Sequence, residues 1–166
     1  MKTLIIIRHA KSALLQAGMH DFDRPLNERG QTDAPRIGTF LREKGIKPDY
    51  IYSSPANRAL STAQLIAREV GFKPEKIEKN SEIYIFDSDV TPIIQLIEQS
   101  PDDADTVFIV GHNETFTHLA NHFTTHNIDN LPTCGVVCFR FVTTTWQGFD
   151  QAQASMDFVI FPKMLQ

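Results

Sequence analysis

The chain has 166 residues, of which 42% are hydrophobic, so it has enough apolar material for one core and too little length for two ordinary domains. Its 16 Lys and Arg residues against 20 Asp and Glu residues give a formal net charge of −4, which argues against a nucleic-acid partner. No apolar run is long enough to span a membrane, and two cysteines cannot build a disulfide framework. We therefore expect a cytoplasmic protein with a single domain over residues 1–166.

Short apolar runs rich in β-branched residues predict the strands. In chain order they lie at 3–7, 50–52, 76–80, 106–110, 136–142 and 155–161. The third run has the weakest pattern. No helical pattern separates the last two runs, which indicates antiparallel strands at the end of an otherwise parallel sheet.

Four segments between these runs have helical periodicity. They lie at 28–43, 54–70, 91–98 and 114–123. Pro35 predicts that the first helix starts near it, after an irregular turn. Ser54 as cap and Pro55 as first helical residue predict the start of the second helix, which Gly71 ends. Strands that alternate with helices indicate a three-layer α/β/α sandwich with a mostly parallel central sheet.

Three polar clusters each follow a predicted strand. Arg8 and His9 follow the first strand, and Arg58 opens the helix after the second. Gly111 and His112 follow the fourth strand. The loops at the carboxyl ends of parallel strands line the ligand crevice of an open α/β sheet, so we expect these clusters to converge. Two arginines and two histidines would form a small basic pocket that suits a phosphoryl group.

These residues also have ordinary structural interpretations. Arg58 lies in the first turn of its helix, where the dipole disfavours a cation by about 0.3–1 kcal/mol. A bound anion would remove this cost, and so would pairing with a surface carboxylate. A histidine at a strand end, such as His9, is also typical of a hydrogen-bonded core residue. The joint pattern of the clusters favours the site.

Three motifs in this order resemble the histidine phosphatase superfamily. Its Arg-His-Gly turn is here Arg8-His9-Ala10, and its Ser-Pro-x-x-Arg-Ala-x-x-Thr helix start is here residues 54–62. Its second Gly-His turn is here Gly111-His112. Residues 24–30, 102–105 and 131–133 add a likeness to the short, SixA-like phosphohistidine phosphatase branch. The resemblance runs along nearly the whole chain and implies a phosphoglycerate mutase-like fold without a large cap insertion.

The resemblance also implies roles for four residues. His9 is the nucleophile that carries the phosphoryl group, Arg8 and Arg58 clamp its oxygens, and His112 is a third contact. Arg8, Arg58 and His112 would thus bind the substrate. Charge in phosphoryl transfer spreads over three equatorial oxygens, so fixed cationic donors can stabilise it, and we expect no metal and no cofactor.

Two features depart from the family pattern. Ala10 replaces the usual glycine, so either the turn does not need a positive φ or alanine strains it by about 1–2 kcal/mol. The general acid of the mutase-like members has no convincing match, although Glu82, Asp87 and Asp89 lie in the approximate region. An imidazole leaves more readily than an alkoxide, so the missing acid favours phosphohistidine in a partner protein. Small phosphate esters stay possible substrates.

Two other chemistries compete with this interpretation. Cys134 and Arg140 have the C-x5-R spacing of cysteine-dependent phosphatases, but the residues between them alternate like a strand, so we interpret both cysteines as strand residues. His118, His122 and His126 have a spacing that could hold zinc on one helix face, but no carboxylate or Cys cluster accompanies them. A polar helix surface is the simpler interpretation.

The sequence therefore predicts a metal-independent phosphatase with a phosphohistidine intermediate on His9. The alternatives are a phosphatase of small phosphate esters and a non-catalytic module that binds phosphohistidine without turnover. An intact His9 argues against the second, because a pure binder needs no nucleophile. We expect a phosphorylated protein or a small phosphate ester as partner, no nucleic acid, no membrane and a monomer.

Overall fold

Six strands form one sheet in the computed structural model, which describes residues 1–165. The strands are β1 (Lys2–Arg8), β2 (Tyr50–Ser53), β3 (Glu78–Lys79), β4 (Thr106–Gly111), β5 (Val136–Phe141) and β6 (Ala154–Ile160). Their order across the sheet is β3-β2-β4-β1-β5-β6. The first four in this order are mutually parallel, and β5 is antiparallel to both β1 and β6. The predicted mixed sheet is confirmed.

Four helices alternate with the strands. They are α1 (Glu28–Glu43), α2 (Asn57–Val70), α3 (Thr91–Glu98) and α4 (Thr115–His122). The predicted start of α1 near Pro35 is wrong, because Pro35 lies inside a continuous helix. Asn27 caps this helix by accepting a hydrogen bond from the Gly30 amide at 2.9 Å. The cap and the buried face around Ile37 outweigh the one backbone donor that the proline lacks.

The predicted start of α2 at Ser54 and Pro55 is also wrong. The helix begins at Asn57, and the residue before it, Ala56, has no side-chain cap. Ser54 is instead buried, and its hydroxyl oxygen lies 2.8 Å from Nε2 of His112. Gly71 ends the helix as predicted, with φ 76° in the left-handed region.

Helices cover both faces of the sheet and bury two apolar layers. In β1, Leu4 and Ile6 belong to the layer under α3 and α4, whereas Ile5 and Ile7 belong to the layer under α1 and α2. Both layers are fully buried along β1, as the continuous apolar run predicts. The three-layer α/β/α sandwich is confirmed. Within the described residues no helix is long and apolar enough to cross a bilayer.

The register of the central strands places three loops side by side. Arg8 at the end of β1 pairs with Gly111 at the end of β4, and Ser53 at the end of β2 pairs with Val110. The His9 amide continues the pairing by donating to the Gly111 carbonyl at 2.9 Å. A Cβ on Gly111 would collide with the ring of Phe116, so the close packing of α4 requires glycine here.

Candidate active site

The three polar clusters meet at the carboxyl ends of β1, β2 and β4. A cavity of about 540 Å³ there is lined by all four predicted site residues, Arg8, His9, Arg58 and His112. The rings of His9 and His112 lie 5.3 Å apart. The sequence-based prediction that these groups share one pocket is thus met by the geometry.

His9 is held with one ring nitrogen engaged and the other available. Its Nδ1 lies 2.7 Å from the carbonyl of Ala10, and because a carbonyl only accepts, Nδ1 carries the proton. The pKa of His9 is lowered to about 4, mainly by burial; the charges of Arg58 and Arg8 also lower it, and the backbone hydrogen bond to Ala10 opposes them. At neutral pH the imidazole is therefore uncharged, with a lone pair on Nε2.

His112 is also neutral. Burial lowers its pKa to about 2, with smaller contributions from His9 and Arg58. Its Nε2 is engaged by the hydroxyl of Ser54 at 2.8 Å. Its Nδ1 is buried and has no hydrogen-bond partner among residues 1–165.

Two arginines of the pocket, Arg8 and Arg58, are anchored through their terminal nitrogens. Nη1 of Arg8 donates to the Leu131 carbonyl at 2.9 Å, and burial lowers the pKa of this guanidinium. Arg58 is only 2% exposed, and its two Nη atoms donate to the carbonyl and the carboxylate of Asp21 at 2.8 and 3.0 Å. Nε of Arg8 and Nε of Arg58 are buried without a partner among the described residues. Such donors suit an anion, because buried polar groups are normally paired.

Asp21 is a pocket residue that the sequence reasoning missed. Its carboxylate accepts hydrogen bonds from Arg58, from Nε of Arg24 at 3.0 Å and from the hydroxyl of Tyr84 at 2.7 Å. Burial opposes ionisation, but these hydrogen bonds and the two arginine charges hold the pKa of Asp21 below its ordinary value. The alternative that Arg58 pairs with a carboxylate is therefore correct, and Arg58 lines the cavity as well.

The only sequence feature that points to Asp21 is its position near the segment 24–30. Asp21 lies three residues before Arg24, which opens the segment 24–30 that contributed to the family resemblance. Nothing in that spacing shows that its partner is Arg58, which lies 37 residues further along the chain.

A second set of contacts fixes the backbone around His9. The hydroxyl of Thr62 accepts from the Ala10 amide at 2.9 Å and donates to the Arg58 carbonyl at 2.7 Å. The Cys134 amide donates to the His9 carbonyl at 2.9 Å. Among the described residues other than glycine, only Cys134 has a positive φ. Ala10 therefore needs no left-handed conformation, and its fully buried methyl group causes no backbone strain.

The three candidate acids lie outside the cavity. Asp87 accepts a hydrogen bond from the Asp89 amide, and Asp89 accepts one from the Thr91 amide, so both carboxylates stabilise the turn before α3. Glu82 lies exposed in a short 3₁₀ turn. None of the three lines the pocket, whereas Asp21 does.

The cysteine-phosphatase alternative is excluded by the strand geometry. Arg140 lies in β5 and pairs with Asp157 of β6 at 3.2 Å, so no phosphate loop links it to Cys134. Burial raises the pKa of the Cys134 thiol, which disfavours a thiolate. Our interpretation of Cys134 as a strand residue is wrong, because it lies in the left-handed turn before β5. Cys138 is a strand residue as predicted.

The three histidines near α4 do not form a metal site. The helix ends at His122, so His126 lies beyond the helix face that a shared site would need. Nε2 of His118 lies 3.4 Å from Glu114, and Nε2 of His122 lies 3.8 Å from Asp150. Within residues 1–165 no group of three or more His, Cys, Asp or Glu side chains could hold a metal ion.

Comparisons of sequence point to one family. The model of the histidine phosphatase superfamily (branch 1) matches residues 4–102. An uncharacterized chloroplastic protein of Arabidopsis thaliana is 28% identical over 152 residues, which cover 88% of this chain and 69% of that protein. The 2,3-bisphosphoglycerate-dependent phosphoglycerate mutase of Thermobifida fusca is 36% identical over 73 residues, which cover 43% of this chain and 30% of the mutase.

Solved structures extend the likeness to the whole chain. A SixA protein of Agrobacterium tumefaciens, named as a phosphohistidine phosphatase, is 27% identical with a TM-score of 0.79 over 97% of this chain and 98% of that one. The protein histidine phosphatase SixA in complex with tungstate shares the fold, with a TM-score of 0.82 over 99% of both chains at 17% identity. Together with the pocket geometry, these matches show that the chain belongs to the histidine phosphatase superfamily and is a phosphatase.

Proposed function

We propose that the chain removes a phosphoryl group from phosphohistidine in a partner protein, through a covalent intermediate on His9. The observation that carries this proposal is an unprotonated Nε2 beside two guanidinium groups whose Nε atoms have no partner in the described chain. A neutral imidazole is a competent nucleophile near pH 7, and arginines are well suited to bind phosphoryl oxygens.

The reaction has two displacements. The lone pair of Nε2 of His9 forms a bond to phosphorus while the bond to the leaving nitrogen breaks, and the leaving imidazole keeps that electron pair and takes a proton from water. A water molecule then attacks the phosphorus of phosphorylated His9. The P–N bond breaks, its electrons return to Nε2, and inorganic phosphate leaves with the proton balance closed by solvent.

Arg8, Arg58 and His112 stabilise the charge in both displacements. Within residues 1–165, the three buried side-chain nitrogens without a partner are Nε of Arg8, Nε of Arg58 and Nδ1 of His112. All three belong to residues that line the cavity, and their number equals that of the equatorial oxygens on the transferring group. With the hydroxyl of Ser54 as donor to Nε2, the neutral ring of His112 carries its proton on Nδ1 and donates a hydrogen bond from it without adding charge. The hydrogen bonds that anchor the side chains keep these donors in place before substrate binds, which is how electrostatic stabilisation becomes effective.

The only carboxylate that lines the cavity within residues 1–165 supports a nitrogen-linked substrate. Asp21 is held in its ionised form by Arg58, Arg24 and Tyr84, so it has no proton to give at neutral pH. An alkoxide leaving group needs such a proton, whereas an imidazole departs with less acid catalysis. The two SixA structures named above bear names that agree with this substrate class.

Access to the pocket supports a substrate carried on a protein. Only residues 80–90 separate β3 from α3, and within them the chain forms a short 3₁₀ turn and a loop rather than a cap domain. The mutase of Thermobifida fusca matches 43% of this chain and 30% of its own length, so its activity is a weaker guide. A cytoplasmic, monomeric enzyme that needs no metal stays the prediction from sequence.

The test uses His9→Ala with a phosphorylated histidine-containing protein, free phosphohistidine and p-nitrophenyl phosphate. We expect wild-type protein to release phosphate in excess EDTA and to form an acid-labile phosphoryl adduct, both of which His9→Ala abolishes without a change in unfolding temperature. His118→Ala, which removes an exposed histidine outside the pocket, is the matched control. Binding of phosphohistidine without phosphate release by wild type would contradict the proposal, and release only from p-nitrophenyl phosphate would assign the enzyme to small esters.

A further inference from the structure

A row of aromatic rings leads from the floor of the pocket to the protein surface. The ring of Phe86 lies 4.9 Å from the ring of His112 and 5.0 Å from that of Tyr84. Phe22 continues the row, 5.4 Å from Tyr84. Phe86 is the only one of these phenylalanines that lines the pocket, and it is 42% exposed.

The position of Phe86 matches the path of the leaving group. Phosphoryl transfer places the attacking and leaving atoms roughly in line, so the leaving group points away from His9. His9 is buried at 7% exposure, so this direction leads toward the open part of the cavity, which the half-exposed Phe86 lines. Phe86 is an exposed phenyl ring at a site whose other lining residues are polar or charged. When a flat ring covers Phe86, apolar surface is removed from water, which is favourable.

We propose that Phe86 is a specificity-determining residue that packs against the planar ring of the leaving group, which for phosphohistidine is the imidazole. This inference rests on the proposed function of the same pocket. Aromatic pairs prefer tilted or offset contacts at centroid distances of about 4.5–7 Å, and the side of Phe86 away from His112 can offer such a contact. A leaving group rich in hydroxyls would instead lose hydrogen bonds to water against this surface.

The orientation of Phe86 is fixed by its neighbours rather than by the substrate. Tyr84 contacts Phe86 edge to face at an angle of 78°, and its own hydroxyl is tied to Asp21. His112 contacts Phe86 on the pocket side. Because the ring is held in place before binding, its contact with a flat leaving group costs little conformational entropy.

Two small substrates separate the role of the ring from that of the chemistry. Phosphoimidazole and phosphoramidate both carry a P–N bond, but only the first has a planar ring. For Phe86→Ala we expect kcat/KM of phosphoimidazole to fall about three- to tenfold, mainly through KM, and that of phosphoramidate to change less than twofold. Phe86→Trp should restore the preference, whereas Phe86→Leu, which keeps an apolar side chain without a flat ring, should not.

The matched control is Phe22→Ala, which removes a ring of similar exposure, 39%, that does not line the pocket. It should leave the ratio of the two kcat/KM values unchanged. If folded Phe86→Ala leaves the ratio of the two kcat/KM values unchanged, Phe86 does not determine specificity. The proposed function would still stand in that case, provided that wild type turns over both substrates through His9. If wild type cleaves neither substrate through His9, the proposed function itself fails and this inference with it.

Discussion

The two ends of β1 carry cations with buried nitrogen atoms, and these nitrogens differ in their hydrogen-bond partners. At the amino end Lys2 is 2% exposed, and its Nζ donates to the carbonyls of Asp102 and Ala104 at 2.5 and 3.2 Å and to the carboxylate of Asp105 at 3.0 Å. At the carboxyl end Nε of Arg8 has no partner among the described residues. The same strand therefore ends in a completed network on one side and an incomplete one on the other.

This difference separates a structural cation from a binding cation. A buried charge that is fully paired contributes to a defined native state, whereas a buried donor left without a partner has a free-energy cost that a bound anion or a water molecule removes. Arg58 is as deeply buried as Lys2, yet its Nε has no partner within residues 1–165. Burial and charge alone do not distinguish the two ends of β1. The difference is whether each buried nitrogen has a hydrogen-bond partner.

The largest expected effect tests the incomplete end. Arg58→Lys keeps the positive charge but removes the planar guanidinium that holds Asp21 and lines the pocket. We expect kcat/KM for p-nitrophenyl phosphate to fall about 10²–10³-fold, because an aligned donor to the transferring group is lost. Steady-state kinetics measure the loss, and circular dichroism verifies the fold.

Arg140→Lys is the control for this exchange. Arg140 forms its ion pair with Asp157 on the outer strands of the sheet, with side chains 43% and 42% exposed. Activity should stay within twofold of wild type, since exposed ion pairs contribute little to stability and this one does not touch the pocket. Wild-type rates in Arg58→Lys would show that Arg58 only packs the structure.

The pH dependence of stability should also originate at the carboxyl end. The folded-state pKa values of His9 and His112, about 4 and about 2, lie below the ordinary 6.5 that applies when the chain is unfolded. Between pH 6.5 and 4 the unfolded chain therefore binds more protons than the folded chain, and stability falls as pH falls through this window. Each group changes the unfolding equilibrium by up to about tenfold per pH unit.

Urea unfolding between pH 7 and pH 4.5 measures this slope, and the variant His112→Gln should reduce it. His118→Gln is the control, because that histidine is exposed. Imidazole ¹⁵N NMR provides a direct check, with His9 neutral and protonated on Nδ1 down to about pH 5, as the pKa of about 4 requires. A His9 that titrates near 6.5 would contradict the desolvated pocket.

Much of the fold follows from local patterns, and the exceptions have tertiary causes. The fully apolar run of β1 and the αL glycine after α2 are visible in the sequence, because burial on two faces and left-handed backbone have strong residue preferences. Pro35 misled the prediction of α1 because the Asn27 cap and the packing of the helix outweigh one lost donor. Ser54 misled that of α2 because its hydroxyl binds His112 across the site.

The site divides in the same way. Arg8, His9, Arg58 and His112 could be predicted because each lies at or shortly after the end of a strand, and the topology brings those ends together. Asp21 and Phe86 could not, because each reaches the pocket from a loop whose course is set by contacts distant in sequence. The state of the buried nitrogens is likewise a property of the folded chain, which residue identity does not encode.

A substitution at the amino end of β1 should change stability but not activity. Lys2→Met keeps the volume of the side chain but removes the donor to Asp102 and Ala104. The loss of stability is smaller than for an unsatisfied carbonyl, because Trp146 still donates a hydrogen bond to the Ala104 carbonyl at 2.6 Å. We expect a loss of about 1–2 kcal/mol in the free energy of unfolding, measured by urea titration, with kcat/KM unchanged.

A change in kcat/KM for Lys2→Met at full folding would break the separation between the two ends of the strand. The control for the loss of one positive charge is Lys47→Met, because Lys47 is an exposed lysine in the loop before β2. It should leave both stability and activity close to wild type, because surface substitutions away from special features have small effects.

The smallest expected effect comes from one hydroxyl group in the network that positions Arg58. Tyr84→Phe keeps the ring against Phe86 and His112 but removes the hydrogen bond to Asp21. Asp21 then holds Arg58 with one support fewer, and we expect kcat/KM for phosphoramidate to fall about two- to fivefold, the range for one net hydrogen bond. The pKa of Asp21 should rise toward its ordinary value, which carboxyl ¹³C NMR measures.

Tyr50→Phe is the matched control, because the hydroxyl of Tyr50 donates to Glu78 at 2.6 Å and neither residue lines the pocket. Both variants delete a tyrosine hydroxyl bonded to a carboxylate, so a difference between them isolates the position of the bond from its chemistry. An equal and negligible effect of both on kcat/KM would mean that Arg58 is positioned by its own contacts alone. A loss of kcat/KM in Tyr84→Phe but not in Tyr50→Phe would show that the loop with Tyr84 and Phe86 contributes to substrate binding.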